Sequence, residues 1–209
     1  MRRWVLLCSL LLAAVAGRAQ MDTVWVPYSA GMDLRDGLYR SFREFRLNAP
    51  GVPMERLRDE QGLAVRDLRK VMSRLYWQPD TGARQAIRPD RMWGFCQNDV
   101  IYVSAGNGFY RIGLMGSIAH LVVEVSYRDW DPYMQPFPIT RTALVHQLLD
   151  MRTGAFLPFT SGGMAQALQG DRVLLEEFMA LSPRERNKDA ALFRFLHLHN
   201  ERNPLLLPE

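Results

Sequence analysis

The stretch Ile118-Ala119-His120-Leu121-Val122-Val123-Glu124-Val125-Ser126-Tyr127 decides the fold. Leu121, Val123, Val125 and Tyr127 fall on one side of an extended chain, and His120, Val122 and Glu124 on the other. Successive side chains of a strand point to opposite faces, so this alternation predicts a half-buried antiparallel strand. Residues 142–149 and 155–159 repeat the pattern as a hairpin around Asp150-Met151-Arg152-Thr153-Gly154. Pro158 has no N–H to give to a ladder, which puts its strand at an edge.

Upstream, residues 92–96, the tight Gln97-Asn98-Asp99, residues 100–103, and Ala105-Gly106-Asn107-Gly108 leading into Phe109-Tyr110-Arg111-Ile112 extend the meander. Residues 74–77 and 83–88 flank Pro79-Asp80-Thr81-Gly82, a turn whose glycine can take positive φ. Over residues 63–75, Val65, Leu68, Met72 and Leu75 recur at helical spacing, with Arg66, Asp67, Arg69 and Lys70 between them, predicting an amphipathic helix. A short strand at 37–40 runs into Ser41 and Glu44, which have capping-box spacing; Asn48-Ala49-Pro50-Gly51 ends the helix they open. Residues 22–36 have no clean period.

Downstream, residues 162–168 and 172–179 read as short helices. Ser182-Pro183-Arg184-Glu185 combines an N-cap, a proline at the first helical position and a capping glutamate, predicting a helix to about Asn200 with Leu192, Phe195 or Phe193, and Leu196 inward. Asn203-Pro204 stops it and leaves Leu205-Leu206-Leu207-Pro208 as an apolar tail, a candidate contact surface. The expected fold class is α+β: an antiparallel β-meander, partly closing toward a barrel, with short N-terminal helices and C-terminal helices packed on it. Residues 20–209 read as one domain, without repeats or linkers.

With 48% apolar and 23% charged residues, the 209-residue chain is neither disordered nor collagen-like. Residues 1–19 read as a secretory signal peptide: Arg2-Arg3, an apolar run over 4–16 too short to span a bilayer, then Gly17 and Ala19 at the −3 and −1 positions of a cut after Ala19. Cys8 lies inside the apolar run and does not read as a lipid-attachment site. The export tag holds Arg2, Arg3 and Arg18 and no acid, so the net charge of +4 falls to +1 once it is removed. No basic field remains to attract a polyanion, which argues against nucleic-acid binding; no transmembrane segment follows the tag. Cys96 is then alone, so no intramolecular disulfide forms, and its strand-like setting reads as packing.

Catalytic, cofactor and metal motifs are thin, and none is assigned. Gly106-Asn107-Gly108 starts like a dinucleotide fingerprint, but Arg111 stands at the third glycine position and no helix follows; a hairpin turn accounts for it. His197 and His199 are two apart on a helix, about 200° around its axis, and cannot chelate one ion. One should pack and the other meet solvent. His120 and Glu124 share a strand face too far apart for contact, and His146 reads as packing beside Leu144 and Leu148. Ser161-Gly162-Gly163 lacks the flanking pattern of a nucleophile elbow, and Thr160 or Ser161 reads as a helix cap. The suggestive segment is residues 128–138. Asp129, Trp130, Asp131, Tyr133 and Phe137 stand there among three prolines, a stiffened aromatic loop suited to a protein or a sugar ring, or folded back as cover over the sheet end. Its two acids are too few for a calcium site.

Asp36-Gly37-Leu38-Tyr39 with Ser41-Phe42-Arg43-Glu44-Phe45, Trp93-Gly94-Phe95-Cys96 before Val100-Ile101-Tyr102, Phe109-Tyr110-Arg111-Ile112, Leu149-Asp150 with Thr153-Gly154, and His199-Asn200-Glu201-Arg202-Asn203-Pro204 together cover most of the chain. In these it resembles a group of small exported proteins of unknown function in Gram-negative bacteria. His199 stands where that pattern has Tyr. The resemblance implies a signal peptide and a β-rich domain, and no activity.

The function expected on these grounds is a non-enzymatic, exported binding or structural domain of the cell envelope, periplasmic or at the surface, recognising a protein or a glycan. Two rival readings are an envelope hydrolase whose site assembles only in three dimensions, and a carrier of a lipid or small apolar ligand.

Overall fold

The computed structural model describes residues 23–71, 74–106, 108–130 and 137–209. Its elements in chain order are β1 (Trp25–Pro27), β2 (Gly37–Tyr39), α1 (Phe42–Arg46), β3 (Val52–Pro53), β4 (Leu57–Arg58), α2 (Leu68–Val71), β5 (Tyr76–Trp77), β6 (Gln85–Ala86), β7 (Gly94–Gln97), β8 (Val100–Ala105), β9 (Gly108–Leu114), β10 (Ile118–Asp129), β11 (Ile139–Asp150), β12 (Ala155–Pro158), α3 (Ser161–Ala167), α4 (Arg172–Ala180), α5 (Pro183–Arg186), α6 (Asp189–Arg202) and β13 (Leu206–Pro208). Eight strands in the order β12-β11-β10-β9-β8-β7-β2-β3 form one antiparallel sheet, curled into a half-barrel, so the α+β meander read from the sequence is the fold. β4-β5-β6 form a second sheet, and β1 pairs with β13. Residues 1–19, read above as a signal peptide, lie outside the described residues. Among the described residues no helix is long and apolar enough to cross a membrane.

Strand alternation sorts side chains onto the two faces of the sheet. On one face Tyr39, Cys96, Ile101, Val103, Ala119, Leu121, Val123 and Leu149 form a core with Phe45 of α1 and Leu205 and Leu207 of the C-terminal segment. On the other face, Ile118 and Leu148 of β10 and β11 bury against Met164, Phe178, Leu192, Phe195 and Leu196 of the C-terminal helices. At the far end of the same face, Leu38 and Phe95 bury against Leu57 and Leu75 of the small sheet. Both faces of the half-barrel are therefore filled. Burying each large apolar side chain contributes roughly 1.5–3 kcal/mol, and the three cores supply the main driving force.

Local chemistry fixes the turns. Asn98 and Asp99, with φ of 52° and 59°, make the two-residue β7–β8 turn in the twist that hairpins require. Gly82 and Gly154 take φ of 103° and 77° at the β5–β6 and β11–β12 turns. Ser41 Oγ accepts from Glu44 N at 3.2 Å, and Glu44 Oε2 accepts from Arg40 N at 2.6 Å, one residue before the cap rather than from the cap itself. Thr160 Oγ1 caps α3 by accepting from Gly163 N.

Four expectations need correction. The helix over 63–75 is described only as Leu68–Val71, because Arg58 bridges to Ala64 and Val65 N donates to Leu57 O, drawing the preceding residues into a turn; Met72 lies outside the described residues. The helix opened by Ser182 ends at Arg186: Asn187 Nδ2 donates back to Pro183 O, Lys188 is extended (φ −81°, ψ 135°), and α6 starts afresh. The tail is not a free apolar surface, since Leu205 and Leu207 are buried and Leu206 is exposed. Finally, β10 is not half-buried along its length. From Ile118 to Val123 it is largely buried on both faces, and from Glu124 to Arg128 exposed on both.

Candidate functional site

β10 and β11 are paired over twelve residues, from Ile118 opposite Asp150 to Asp129 opposite Ile139. Their neighbours stop short. Among the described residues β9 pairs with β10 at His120 and Leu121, where the extra Gly113 makes a bulge, and reaches no further than Tyr110 Oη donating to Glu124 O. β12 pairs with β11 from Gln147 to Asp150, with Phe159 N donating to His146 O beyond it. Val122, Val123, Val125, Thr140, Thr142 and Val145 are β-branched and hold the extended backbone without those neighbours. The result is a two-stranded ribbon that outruns the sheet.

Register makes this ribbon two-faced. Val125 opposite Ala143, Tyr127 opposite Arg141 and Val145 opposite Val123 continue the face that carries the buried Leu121 and Val123. That apolar stripe reaches solvent at Val125, Val145, Tyr127 (48% exposed) and Ile139. The reverse face carries Glu124, Ser126, Arg128, Thr140 and Thr142, with Leu144 72% exposed among them. A contiguous apolar exposure of this kind marks a contact surface more often than scattered single residues do. The outer edge of β11 from Ile139 to Val145 has no strand partner among the described residues.

Asp129, Trp130 and Phe137, the described members of the aromatic segment singled out from the sequence, stand at the end of this ribbon. Asp129 closes the ladder and its Oδ2 lies 2.7 Å from Arg141 Nε, an exposed pair of about 0–1 kcal/mol. Trp130 (59% exposed) and Phe137 (75%) project into solvent and do not fold back over the sheet end. Asp131 and Tyr133 lie outside the described residues.

A second cluster stands on the ribbon's base, on the helical face. His120 Nε2 and His146 Nδ1 are 3.0 Å apart, and Phe159 and Phe193 pack edge-on or tilted against both rings at 5.0–6.4 Å between centroids. His120 is buried and His146 exposed. Burial, and then the neighbouring His146, lower the His120 pKa from its ordinary 6.5. Among the described residues each imidazole has the other as its hydrogen-bond partner, and no carboxylate or hydroxyl joins them. His146, expected to pack beside Leu144 and Leu148, is exposed and meets Phe159 and Phe193 instead, while Leu144 stands in solvent. β10–β11 register, which sets Val122 opposite His146 and His120 opposite Leu148, places the two histidines diagonally on one face.

The remaining candidates fall where packing puts them. Cys96 is buried, its thiol 3.8 Å from Leu34 O, and burial pushes its pKa up, so it offers no thiolate. His199 is buried and His197 exposed, as expected of two histidines two apart on a helix. Ser161 Oγ bonds Asn187 Oδ1 at 2.7 Å. No group of three or more potential metal ligands occurs among the described residues. No family model, curated protein or solved structure matches the chain.

Proposed function

We propose that this chain is an exported, non-enzymatic binding domain of the cell envelope, and that the projecting β10–β11 ribbon is the surface with which it recognises a protein partner. The single observation behind this reading is the ribbon itself: a strand pair whose apolar stripe and open outer edge extend beyond every strand that could cover them. An unpaired edge offers backbone donors and acceptors to an incoming extended segment, and the stripe offers its side chains a surface. Export rests on the composition of residues 1–19. The hydrolase reading is disfavoured because His120 and His146 meet each other and two phenyl rings, and a carrier with its ligand enclosed by the half-barrel because side chains fill both faces of that sheet. A glycan reading rests on Trp130 with Tyr133 and is the main competitor.

Two measurements test the proposal. Amino-terminal sequencing of protein from the periplasmic or surface fraction should begin at Gln20; an intact start in the cytosol refutes export. A photo-crosslinking side chain at Tyr127 or Leu144 should capture one discrete envelope protein, while the same group at Val173, an exposed position on α4, should not. Equal capture from both sites, or glycan binding abolished by Trp130→Ala, overturns the protein-partner reading.

A further inference from the structure

A cavity of about 420 Å³ opens where the two large cores meet. Its apolar wall comes from both of them: Met151 and Leu205 from one, Ile118 and Ala167 from the other. Its polar wall is assembled from distant parts of the chain, with Arg46 ending α1, Asp150 and Arg152 at the β11–β12 turn, and His199 in the last turn of α6. The volume is within the ordinary range for small-molecule sites, roughly 300–1,000 Å³.

Two of those side chains each carry one buried nitrogen without a partner. The His199 side chain is on a residue only 7% exposed, and its Nδ1 is buried without a hydrogen bond. Arg46 Nη1 is likewise buried and unpaired, and among the described residues no acidic group acts on Arg46; its guanidinium lies 5.8 Å over the Trp25 ring. Buried polar groups in folded proteins are nearly always satisfied, and a partly desolvated guanidinium without a counter-charge is costly. Asp150 does not fill that role. Its Oδ1 accepts from Arg152 N and its Oδ2 from Thr153 Oγ1, and Arg152 Nη2 is 3.6 Å away. Among the lining residues two guanidinium groups face one carboxylate, one net positive charge, with the His199 imidazole beside them and an apolar floor; Asp171, whose charge also acts on His199, is held by Asn203 and Arg202.

We infer that this cavity binds a small organic acid, its carboxylate between Arg46, Arg152 and His199 and its apolar body against Ile118, Met151 and Leu205. A guanidinium offers a carboxylate paired donors in fixed geometry, and the single surplus positive charge matches a monoanion. The ligand would tie the β1–β13 ribbon and the end of α6 to both cores, so occupancy should stiffen the domain. The site lies on different elements from the β10–β11 ribbon tip, and its test does not depend on the ribbon's role.

Benzoate serves as the probe, with benzyl alcohol as its uncharged counterpart and inorganic phosphate as an anion without the apolar body. Titrated to roughly millimolar levels, where even weak sites fill, benzoate should raise Tm saturably and shift the amide resonances of Ser117, Met151 and Asn203 but not those of Tyr127 and Leu144. Arg46→Gln and His199→Gln should each weaken benzoate at least tenfold, while Arg172→Gln, on the surface of α4, should leave it unchanged. Benzyl alcohol binding as well as benzoate, phosphate binding as well as benzoate, or shifts confined to other residues would overturn the assignment. So would no shift at all. The resonance map of the unaltered protein decides the matter even where a variant fails to fold.

Discussion

His120 Nε2 lies 3.0 Å from His146 Nδ1, so one ring donates an N–H and the other accepts it, and both cannot be protonated while the bond lasts. The buried His120 has its pKa lowered by desolvation first and by His146 second, and burial lowers the His199 pKa too. A depressed histidine is neutral in the folded chain at pH values where the unfolded chain, near 6.5, is taking up a proton. The unfolded state then binds more protons, so stability is complete above about pH 6.5 and is lost as pH falls through the folded values. Urea unfolding between about pH 7.5 and 5.5 should show that decline, and His120→Phe should make it shallower. A His120 proton resonance titrating at or above 6.5 sinks the argument.

Asn200 of α6 does for Ile118 of β10 what a strand neighbour would do. Its Oδ1 accepts from Ile118 N at 2.9 Å and Ser117 Oγ at 3.0 Å, and its Nδ2 donates to Ile118 O at 2.9 Å. A Cβ on Gly116 would strike the same amide. Asn200→Ala should cost about 1–3 kcal/mol, the penalty for leaving buried polar groups unpaired. Gly116→Ala should act through the same contact, so the double variant should cost clearly less than the two singles added. Additive losses in a denaturant series would show that the two do not share this clamp.

Much of this architecture is legible in the sequence because it is local. The alternation of Leu121, Val123 and Val125, the turn residues Asn98 and Asp99, and the caps at Ser41, Thr160 and Ser182 each specify structure within a few residues. The misread segment at 63–75 shows the limit: Val65, Leu68 and Leu75 are buried at helical spacing, yet a bridge from Arg58 to Ala64 puts a turn where the helix was expected. The candidate sites are less legible for the same reason. Asp129, Trp130 and Phe137 stand out by composition, whereas the stripe they cap depends on how soon β9 and β12 end, which no local pattern reports. His120 and His146 are 26 residues apart, and the cavity joins Arg46 to His199.

Gly94 is held by backbone rather than by conformation. A Cβ there would collide with the Tyr102 carbonyl oxygen and crowd Val103 Cα on the paired strand β8. Neither atom can rotate away, so Gly94→Ala must move β7 relative to β8 and disturb the stacked Phe95 and Tyr102 rings, 4.6 Å apart. The expected loss is about 1–3 kcal/mol, typical of an overfilled interior. Thermal unfolding of this variant beside Gly82→Ala, where the added methyl meets open space but φ is 103°, separates collision from backbone strain. An undiminished Tm for Gly94→Ala counts against the close approach.

The ribbon should behave oppositely to the core beneath it. Tyr127→Ser and Leu144→Thr remove exposed side chains that pack little, so each should change stability by less than about 0.5 kcal/mol. Leu207→Ala empties a fully buried position between β1 and the sheet and should cost about 2–5 kcal/mol. If the ribbon is a recognition surface, the first pair should lose partner crosslinking at unchanged Tm, while Leu207→Ala, assayed well below its lowered Tm, should keep it. A ribbon pair that destabilises the fold as much as Leu207→Ala does would mean that Tyr127 and Leu144 are structural, and the ribbon would then need another account.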